Sequence, residues 1–556
     1  MKRLLFSVCN RILWVWILGQ QVSLVHGQIP VNQSIDRPKL VVGIVVDQMR
    51  YDFLYRYWDT WGNGGFRRLL REGYSFANCT YSYFPTKTAA GHASVYTGTT
   101  PAMHGIVGND WFEVRTGKPM HCVQDDSVSS VGTLSDQGKK SPGNMWVYTI
   151  SDQLRLATNF KSKTYGVSLK DRGAILPAGH SANAAFWFDT ETGYFISSSY
   201  YKSLGGKLPA WLQQLNQNKM VAGFRTGVWN PLLPIEKYEQ STRDSTIYEA
   251  SYMQGKAPVF PYKLSEYKHG KYEIVKRTPF GNTLTTEVAK ALIKGEALAK
   301  GKETDMIAIS YSSTDEVGHE YGPYAIETQD TYLRLDKDLE DLFTFLDTEV
   351  GKNQYLVFLT ADHGVLEVPQ FLKDHGLPAG NFSNHQFLKD LKSFTLSRFD
   401  SIPLIRYCIN QQIFLDHEKI IAHKLNMQTV LQEIIGFVEK QPQIMNAFAY
   451  GAARPFPAIP FLDRYEAGYN KDRSGDIQFT LFPGILEGSR KKGTNHTAPY
   501  SYDSHVPLIW MGWKIAPGEE VEPIHIEDIA PTLASLLHIM EPNGCTGKAK
   551  KIPLRK

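Results

Sequence analysis

Four short runs of apolar residues predict the main strands of this chain. They cover residues 40–46, 306–310, 355–359 and 506–510. Because consecutive positions in each run are apolar, the pattern predicts strands buried on both faces, as in a parallel sheet covered by helices. Such sheets bind their ligands at the carboxyl ends of the strands, so function is first sought in the residues beside these ends.

Two further stretches have the period of a helix. In the first, five apolar side chains fall on one helical face between the second and third predicted strands: Leu335, Leu339, Leu342, Phe343 and Leu346. In the second, residues 526–537, Pro531 stands near the first turn, where proline is tolerated. Strands that alternate with helices predict the α/β class, here a mostly parallel sheet covered by helices on both faces.

The rest of the chain divides into a leader and two irregular regions. Residues 1–27 contain Lys2 and Arg3, an interrupted apolar run and a small residue, Gly27, which is typical of a secretory signal peptide. We expect removal near Gly27 and a periplasmic or secreted protein, with an uncleaved anchor as the alternative. Within a catalytic domain over residues 28–556, the weakly periodic stretches of about 183–276 and 369–490 are predicted to be insertions that form a cap over the site.

Composition and charge narrow the function classes only slightly. The chain has 556 residues with 42% hydrophobic and 21% charged residues, as in ordinary globular proteins. A net charge of +4 over this length does not predict nucleic-acid binding. Cys79, Cys122, Cys408 and Cys545 match no zinc-ribbon spacing, and both disulfides and buried free thiols are compatible with an exported protein.

The segment FPTKTAAGH, residues 84–92, offers a candidate nucleophile. The residues after Thr88 have helical character, which places its hydroxyl at a helix N-terminus, where an alkoxide and a bound anion are favoured. A threonine hydroxyl still needs activation by a base, a lowered pKa or a metal. From position alone Thr88 also fits an ordinary N-cap, and Thr86 is an equal candidate nucleophile.

Carboxylate and imidazole side chains collect near the ends of the predicted strands. The candidates are Asp47, Asp315, His319, Asp362, His363 and His496, of which Asp362 and His363 belong to the segment TADHG. Each alone also fits a structural role, such as a helix cap. Together, with no cysteine among them, they suit zinc, with manganese or a mixed pair as alternatives. Two ions about 4 Å apart would clamp the attacking and leaving oxygens of an in-line displacement.

The motifs in this chain resemble those of the alkaline phosphatase superfamily, and more closely its threonine-nucleophile branch, the PafA-type phosphatases. The resemblance rests on VVDQMR, FPTKTAAGHASVYTG, MHGIVGNDW, SLKDRGAI, DEVGHEYGP, TADHG, NHTAPYSYDSHVPLIWMG and DIAPTLASLL, in the expected order over nearly the whole mature chain. TADHG alone would mark only the superfamily. The resemblance implies a secreted or periplasmic phosphate monoesterase with two zinc ions, which releases inorganic phosphate through a phosphothreonine intermediate.

The resemblance also implies a role for each matching residue. One zinc, at the leaving oxygen, would be bound by Asp315, His319 and His496. The second zinc would hold Thr88 and be bound by Asp47, Asp362 and His363. The phosphoryl oxygens would be bound by Asn109, Lys170 and Arg172. His505 competes with His496 for the first zinc, and His496 is preferred from its distance to the last core strand, although a His-Thr-Ala sequence stands where the superfamily usually has His-Gly.

The Lys170 and Arg172 pair separates the main hypothesis from its rivals. Two cations aimed at the nonbridging oxygens favour a dianionic monoester over a diester, although the two residues could also be exposed loop charges. One rival is a phosphodiesterase or nucleotide pyrophosphatase on the same fold. The other is a non-catalytic protein that binds phosphorylated ligands. We expect small-molecule phosphate monoesters as partners, no nucleic acid and no stable membrane insertion once the signal is removed.

Overall fold

The apolar runs form the middle of an eleven-stranded sheet in the computed structural model, which describes residues 35–253, 255–451 and 459–555. In chain order its strands are β1 (Leu40–Val46), β2 (Tyr74–Thr80), β3 (Ser130–Val131), β4 (Thr164–Ser168), β5 (Ala184–Asp189), β6 (Tyr194–Ser198), β7 (Asp305–Tyr311), β8 (Tyr355–Thr360), β9 (His505–Gly512), β10 (Gly518–Glu520) and β11 (Ile524–His525). In space they follow the order β10-β2-β9-β8-β1-β7-β4-β5-β6-β3, with β11 beside β2.

The centre of the sheet is parallel, which confirms the predicted fold class. Strands β8, β1, β7, β4 and β5 are neighbours and run in the same direction. All seven residues of β1 are buried, as expected for a strand covered on both faces. In register, Leu40 lies opposite both Asp305 and Tyr355, so β1, β7 and β8 end close to one another at one edge of the sheet.

The fourth predicted strand, β9, departs from this parallel pattern. It pairs antiparallel with both β8 and β2. Its apolar sequence does not reveal this direction, because burial on both faces is shared by central strands of either orientation. The antiparallel direction brings the beginning of β9 to the edge at which the parallel strands end, so the segment ahead of β9 reaches the same place as the segments that follow β1 and β8.

Ten helices of eight residues or more lie in the described parts of the chain. They are α1 (Thr88–Thr97), α2 (Ile150–Ala157), α3 (Asp171–Ala178), α4 (Ala210–Gln217), α5 (Phe280–Gly295), α6 (Ser313–Tyr321), α7 (Ile326–Leu346), α8 (Asn384–Arg398), α9 (Met427–Val438) and α10 (Ile529–Leu536). The predicted helix between two strands is α7, and it buries all five apolar side chains of the predicted face. The predicted helix over residues 526–537 is a turn of 3₁₀ helix followed by α10, with Pro531 in the first turn of α10.

The two irregular regions differ in how they join the sheet. The expected start of the first insertion, near residue 183, is wrong, because β5 and β6 belong to the central sheet and are almost wholly buried. The second region builds a sheet of its own from Ile405–Ile409, Gln412–Leu415, Ile477–Leu481 and Ile444–Ala449. Helices α8 and α9 contribute Phe387, Leu391 and Ile434 to a separate apolar core beneath that sheet.

Three further expectations concern the whole chain. The predicted signal peptide lies outside the described residues. Within the described ranges, none of the helices combines the length and the apolar character needed to cross a membrane. The structure has free thiols, and not disulfides, at all four cysteines of the predicted mature chain: Cys79, Cys122, Cys408 and Cys545.

Candidate active site

The candidate residues converge at the edge where β1, β7 and β8 end. Asp47 follows β1, Asp315 lies in the first turn of α6 after β7, and Asp362 and His363 follow β8. Hydrogen bonds join these segments: the Thr314 hydroxyl donates to the Asp47 carbonyl oxygen at 2.5 Å. The shared direction of the three strands therefore gathers side chains that are hundreds of positions apart in the sequence.

The structure distinguishes the two candidate nucleophiles. Thr88 is the first residue of α1, whose N-cap is Lys87, so the N-cap interpretation of Thr88 is wrong. Its hydroxyl lies 3.4 Å from His363 Nε2 at the helix N-terminus and is almost fully buried. The Thr86 hydroxyl instead lies 3.3 Å from the Ala498 carbonyl oxygen and 3.4 Å from an Asp503 carboxylate oxygen. Of the two threonines, Thr88 is the one that faces the histidine and carboxylate cluster.

Two groups of side chains could each hold a metal ion. We call Asp47, Asp362 and His363 the first ligand group, and Asp315, His319 and His496 the second. In the first group, one donor atom from each residue lies within 4.8 Å of the others. The same holds for Asp315 and His496 together with His363, which lies between the two groups. His319 joins the second group through its Nε2, 3.0 Å from Asp315 Oδ1.

The three histidines are oriented alike. His319 Nδ1 donates to the Thr494 carbonyl at 2.9 Å, His363 Nδ1 to the Gly364 carbonyl at 3.0 Å, and His496 Nδ1 to the Thr86 carbonyl at 2.7 Å. Each ring therefore turns its Nε2 toward the carboxylates, which is how backbone carbonyls orient metal-binding imidazoles. Burial lowers the pKa of His363 to about 3 and that of His496 well below its ordinary value, so both rings are neutral, as ligands must be.

The first ligand group contains carboxylate oxygens that no donor in the described parts of the protein satisfies. Asp47 Oδ1 and Asp362 Oδ2 are buried and have no hydrogen-bond partner. Burial and the neighbouring Asp47 raise the pKa of Asp362 well above its usual range. Buried carboxylates with unpartnered oxygens are stabilised when they are paired or coordinate a metal. The donor set of carboxylates and imidazoles therefore fits divalent cations, and zinc among them.

The structure distinguishes His496 from His505, the two candidate histidines for the second ligand group. His496 lies in the cluster, with its ring stacked on that of His363 at a centroid distance of 3.5 Å. His505 Nε2 bonds the Ala77 carbonyl oxygen at 2.9 Å, and its ring stacks on Tyr51. His505 thus contributes to the packing of β9 against β2, away from the two ligand groups.

The expected phosphoryl-binding residues surround the cluster in different ways. The side-chain oxygen of Asn109, Oδ1, accepts a hydrogen bond from the Ala89 backbone N–H at 2.9 Å, so the side-chain NH₂ is the end left for a ligand. Lys170 Nζ lies between the two ligand groups, 2.7 Å from Asp47 Oδ2 and 2.5 Å from Asp315 Oδ2. Burial lowers the pKa of Lys170, but Asp315 and Asp47 outweigh it and raise that pKa above the ordinary value.

Arg172 makes weaker contacts with protein carboxylates than Lys170 does. Its guanidinium is 3.7 Å from Asp171, and its Nε has no hydrogen-bond partner. The side chain is 19% exposed and is carried by the first turn of α3, which packs against α1. The forked donors of Arg172 have few protein partners, and α3 packs against the helix that begins with Thr88. Such donors are suited to an anionic ligand.

Sequence reasoning missed one residue at the centre of the site. Gln48 bonds carboxylates of both ligand groups, although nothing marks it in the sequence beyond its place after Asp47. His92, four residues after Thr88, links α1 to β7: its Nδ1 donates to the Thr88 carbonyl at 2.8 Å and its Nε2 meets the Ser310 hydroxyl at 2.9 Å.

A cavity of about 400 Å³ opens beside the second ligand group. His319 and Glu320 of α6 line it, together with Tyr252 from the first irregular region and Glu487 and Arg490 from the second. The wall is therefore polar, with both signs of charge. Because it reaches His319 and not the first ligand group, a group bound there would lie on the far side of the cluster from Thr88.

Known proteins match this chain over nearly its full length. The model of the type I phosphodiesterase / nucleotide pyrophosphatase family matches residues 41–502. The alkaline phosphatase PafA of Elizabethkingia meningoseptica is 44% identical over 541 residues, which are 96% of this chain and 97% of that protein. The alkaline phosphatase PhoV of Synechococcus elongatus is 44% identical over 524 residues, 93% of each chain.

The structural comparison agrees. The crystal structure of wild-type PafA matches with a TM-score of 0.89 at 44% identity, over 93% of this chain and 99% of that chain. The overall fold of this chain is thus that of a known enzyme. The chain therefore belongs to the type I phosphodiesterase / nucleotide pyrophosphatase family of the alkaline phosphatase superfamily, and within that superfamily to the PafA-type alkaline phosphatases.

Proposed function

We propose that this phosphoric monoester hydrolase acts on small-molecule phosphate monoesters through a phosphothreonine formed on Thr88, with zinc ions bound by both ligand groups. The observation that carries the proposal is the position of the Thr88 hydroxyl, at a helix N-terminus and 3.4 Å from His363 Nε2. When bound, zinc would lower the pKa of the hydroxyl that it holds and offset the charge on the leaving oxygen. The first ligand group would hold one ion and the second the other.

The protein groups then have separate tasks in the reaction. The Thr88 oxygen attacks phosphorus, the bond to the leaving oxygen breaks, and a phosphothreonine forms. Water then attacks that phosphorus from the vacated side, which releases inorganic phosphate and restores Thr88. Because the phosphoryl transition state is loose, catalysis depends mainly on positioning and charge. The N-terminus of α1, the Asn109 amide and the Arg172 guanidinium would supply both at the phosphoryl oxygens.

Arg172 is the residue that selects monoesters over diesters in this proposal. A monoester dianion has one more charged nonbridging oxygen than a diester, and Arg172 has an unpartnered Nε–H to donate to it. Lys170 would act between the ligand groups, where it already contacts Asp47 and Asp315, and would reach a phosphoryl oxygen only from that position.

The test compares rates on matched aryl phosphate monoesters, diesters and sulfate esters, with metal content measured. Arg172→Ala should lower kcat/KM for the monoester about 10- to 100-fold, the value of a charged hydrogen bond, and leave the diester nearly unchanged. Lys140→Ala is the matched control, because Lys140 Nζ lies 3.5 Å from the same Asp171 and has no assigned role. A higher kcat/KM for the diester than for the monoester, with monoester turnover almost unchanged in Arg172→Ala, would favour the phosphodiesterase alternative. No turnover by zinc-loaded protein would favour the non-catalytic one.

The cap and the location of the protein complete the proposal. We propose that the two irregular regions form a cap whose cavity, beside His319, receives the leaving group. The physiological leaving group would then be polar enough to lie among Arg490, Glu487 and Glu320. The N-terminal sequence supports export to the periplasm or the medium after cleavage near Gly27. N-terminal sequencing of the protein recovered from a periplasmic extract tests that cleavage.

A further inference from the structure

Gln48 bonds both ligand groups without belonging to either. Its side-chain Nε2 donates to Asp315 Oδ1 at 2.6 Å, and its backbone N–H donates to Asp362 Oδ1 at 3.1 Å. Asp315 is in the second ligand group and Asp362 in the first. A single buried residue thus holds one carboxylate of each group, and it does so directly after Asp47, the third carboxylate of the cluster.

The conformation of Gln48 is unusual and is held by its surroundings. Its φ is +67°, a left-handed value that side chains other than Gly, Asn and Asp rarely adopt. The Tyr332 hydroxyl donates to the Gln48 carbonyl oxygen at 3.3 Å, and Gly318 leaves room for the side chain, since a Cβ there would lie 2.0 Å from Gln48 Oε1. Strained backbone of this kind persists where the neighbouring structure determines it, and it is common at functional sites.

The two hydrogen bonds decide which oxygen of each carboxylate contacts Gln48 and which points elsewhere. Because the Gln48 backbone N–H occupies Asp362 Oδ1, the other oxygen, Oδ2, is the one with no hydrogen-bond partner. In Asp315, Oδ1 accepts from Gln48 while Oδ2 contacts Lys170 Nζ. Each carboxylate is therefore fixed in rotation about its own axis, which sets the direction in which it can bind a cation.

We propose that Gln48 is a positioning residue that sets the geometry of the two metal sites relative to each other. Its backbone orients Asp362 and its side chain orients Asp315, so the strained turn after β1 fixes both sites together. The inference rests on the two-metal site proposed above. It concerns the affinity of the sites for metal, which can be measured without turnover.

The test is a metal titration of the full-length holoenzyme. Gln48→Met keeps the length of the side chain and the backbone bond to Asp362 but removes the donor to Asp315. In zinc-buffered solutions, with bound zinc counted by mass spectrometry, the variant should lose one zinc ion at a free-zinc concentration about 10- to 100-fold higher than the wild type does. Its other zinc should be retained as in the wild type.

Two further variants make the result decisive. Gln48→Asn tolerates the positive φ, but its amide is one methylene too short to reach Asp315, so it should show the same selective loss. Gln329→Met removes another fully buried amide, in α7, and should keep both ions. Unchanged zinc binding in both Gln48 variants, or an equal loss of both ions, would overturn the inference. Wild-type protein that binds fewer than two zinc ions would contradict the proposed function itself, before any variant is compared.

Discussion

The two ligand groups share the same residue types but differ in their surroundings. Asp47, Asp362 and His363 are completely buried and follow two adjacent parallel strands. In the second group, the His319 side chain is 26% exposed and lines the cavity of about 400 Å³. The difference suits the two halves of a displacement: a nucleophile gains from a preorganised site without water, whereas a leaving group must enter and depart.

The largest expected effect comes from breaking the buried group. Asp362→Ala should remove the zinc ion that faces Thr88 and lower kcat/KM for aryl monoesters by about 10³-fold or more, because a metal contributes several kcal/mol of charge stabilisation. Steady-state kinetics together with zinc analysis give both values. Loss of that zinc with normal activity would contradict the proposed role of the first ligand group.

The second group should respond in a way that depends on the leaving group. His319→Ala should lower kcat/KM about 10- to 100-fold for alkyl phosphates, whose leaving oxygens develop the most charge, and much less for nitrophenyl phosphate. The measurement is a series of monoesters that differ only in leaving-group basicity. A loss of equal size across the series would place the site of His319 away from the leaving oxygen.

The smallest expected effect concerns the loop that carries His496. Thr497 has a φ of +106°, and its buried hydroxyl has no partner, while Asp503 Oδ2 accepts from its backbone N–H at 2.7 Å. Glycine, which the superfamily usually has there, adopts this φ freely, so Thr497→Gly should stabilise the holoenzyme by about 1 kcal/mol. Thermal unfolding measures the change.

A matched substitution separates backbone strain from the unpartnered hydroxyl. Thr497→Ala removes the hydroxyl but keeps a Cβ at the same φ, so it should recover only part of the gain. Equal stabilisation by Ala and Gly would show that strain at residue 497 is not the cause. Destabilisation by Gly would mean that the Thr497 side chain holds His496 in place.

The strands could be predicted closely from the sequence because their signal is local. The first run matches β1 residue for residue, and the second is β7 without one residue at each end. The six residues proposed as metal ligands could also be singled out from the sequence, since most of them follow those strands closely, and the structure brings their side chains together. The choice between Thr86 and Thr88 as the nucleophile could not be made from local sequence. It depends on the contact of Thr86 with Asp503, which lies 417 positions away.

What the sequence did not predict depends on contacts that have no local pattern. Gln48 bonds Asp315 and Asp362, which lie 267 and 314 positions away in the sequence. The positive φ of Gln48, directly after β1, orients the residue toward both carboxylates. The direction of β9 was likewise hidden, since a buried apolar run looks the same in either orientation. The start of the first insertion was misplaced because β5 and β6 are rich in aromatic residues, which resemble cleft-lining segments as much as strands.

The central claim is that Thr88 takes the phosphoryl group before water does. The stereochemical course at phosphorus tests it most directly, with a phosphate monoester made chiral by oxygen isotopes and an alcohol as acceptor. Two successive in-line displacements, first by Thr88 and then by the acceptor, predict retention of configuration. Inversion would show a single direct displacement and would contradict a phosphothreonine on Thr88.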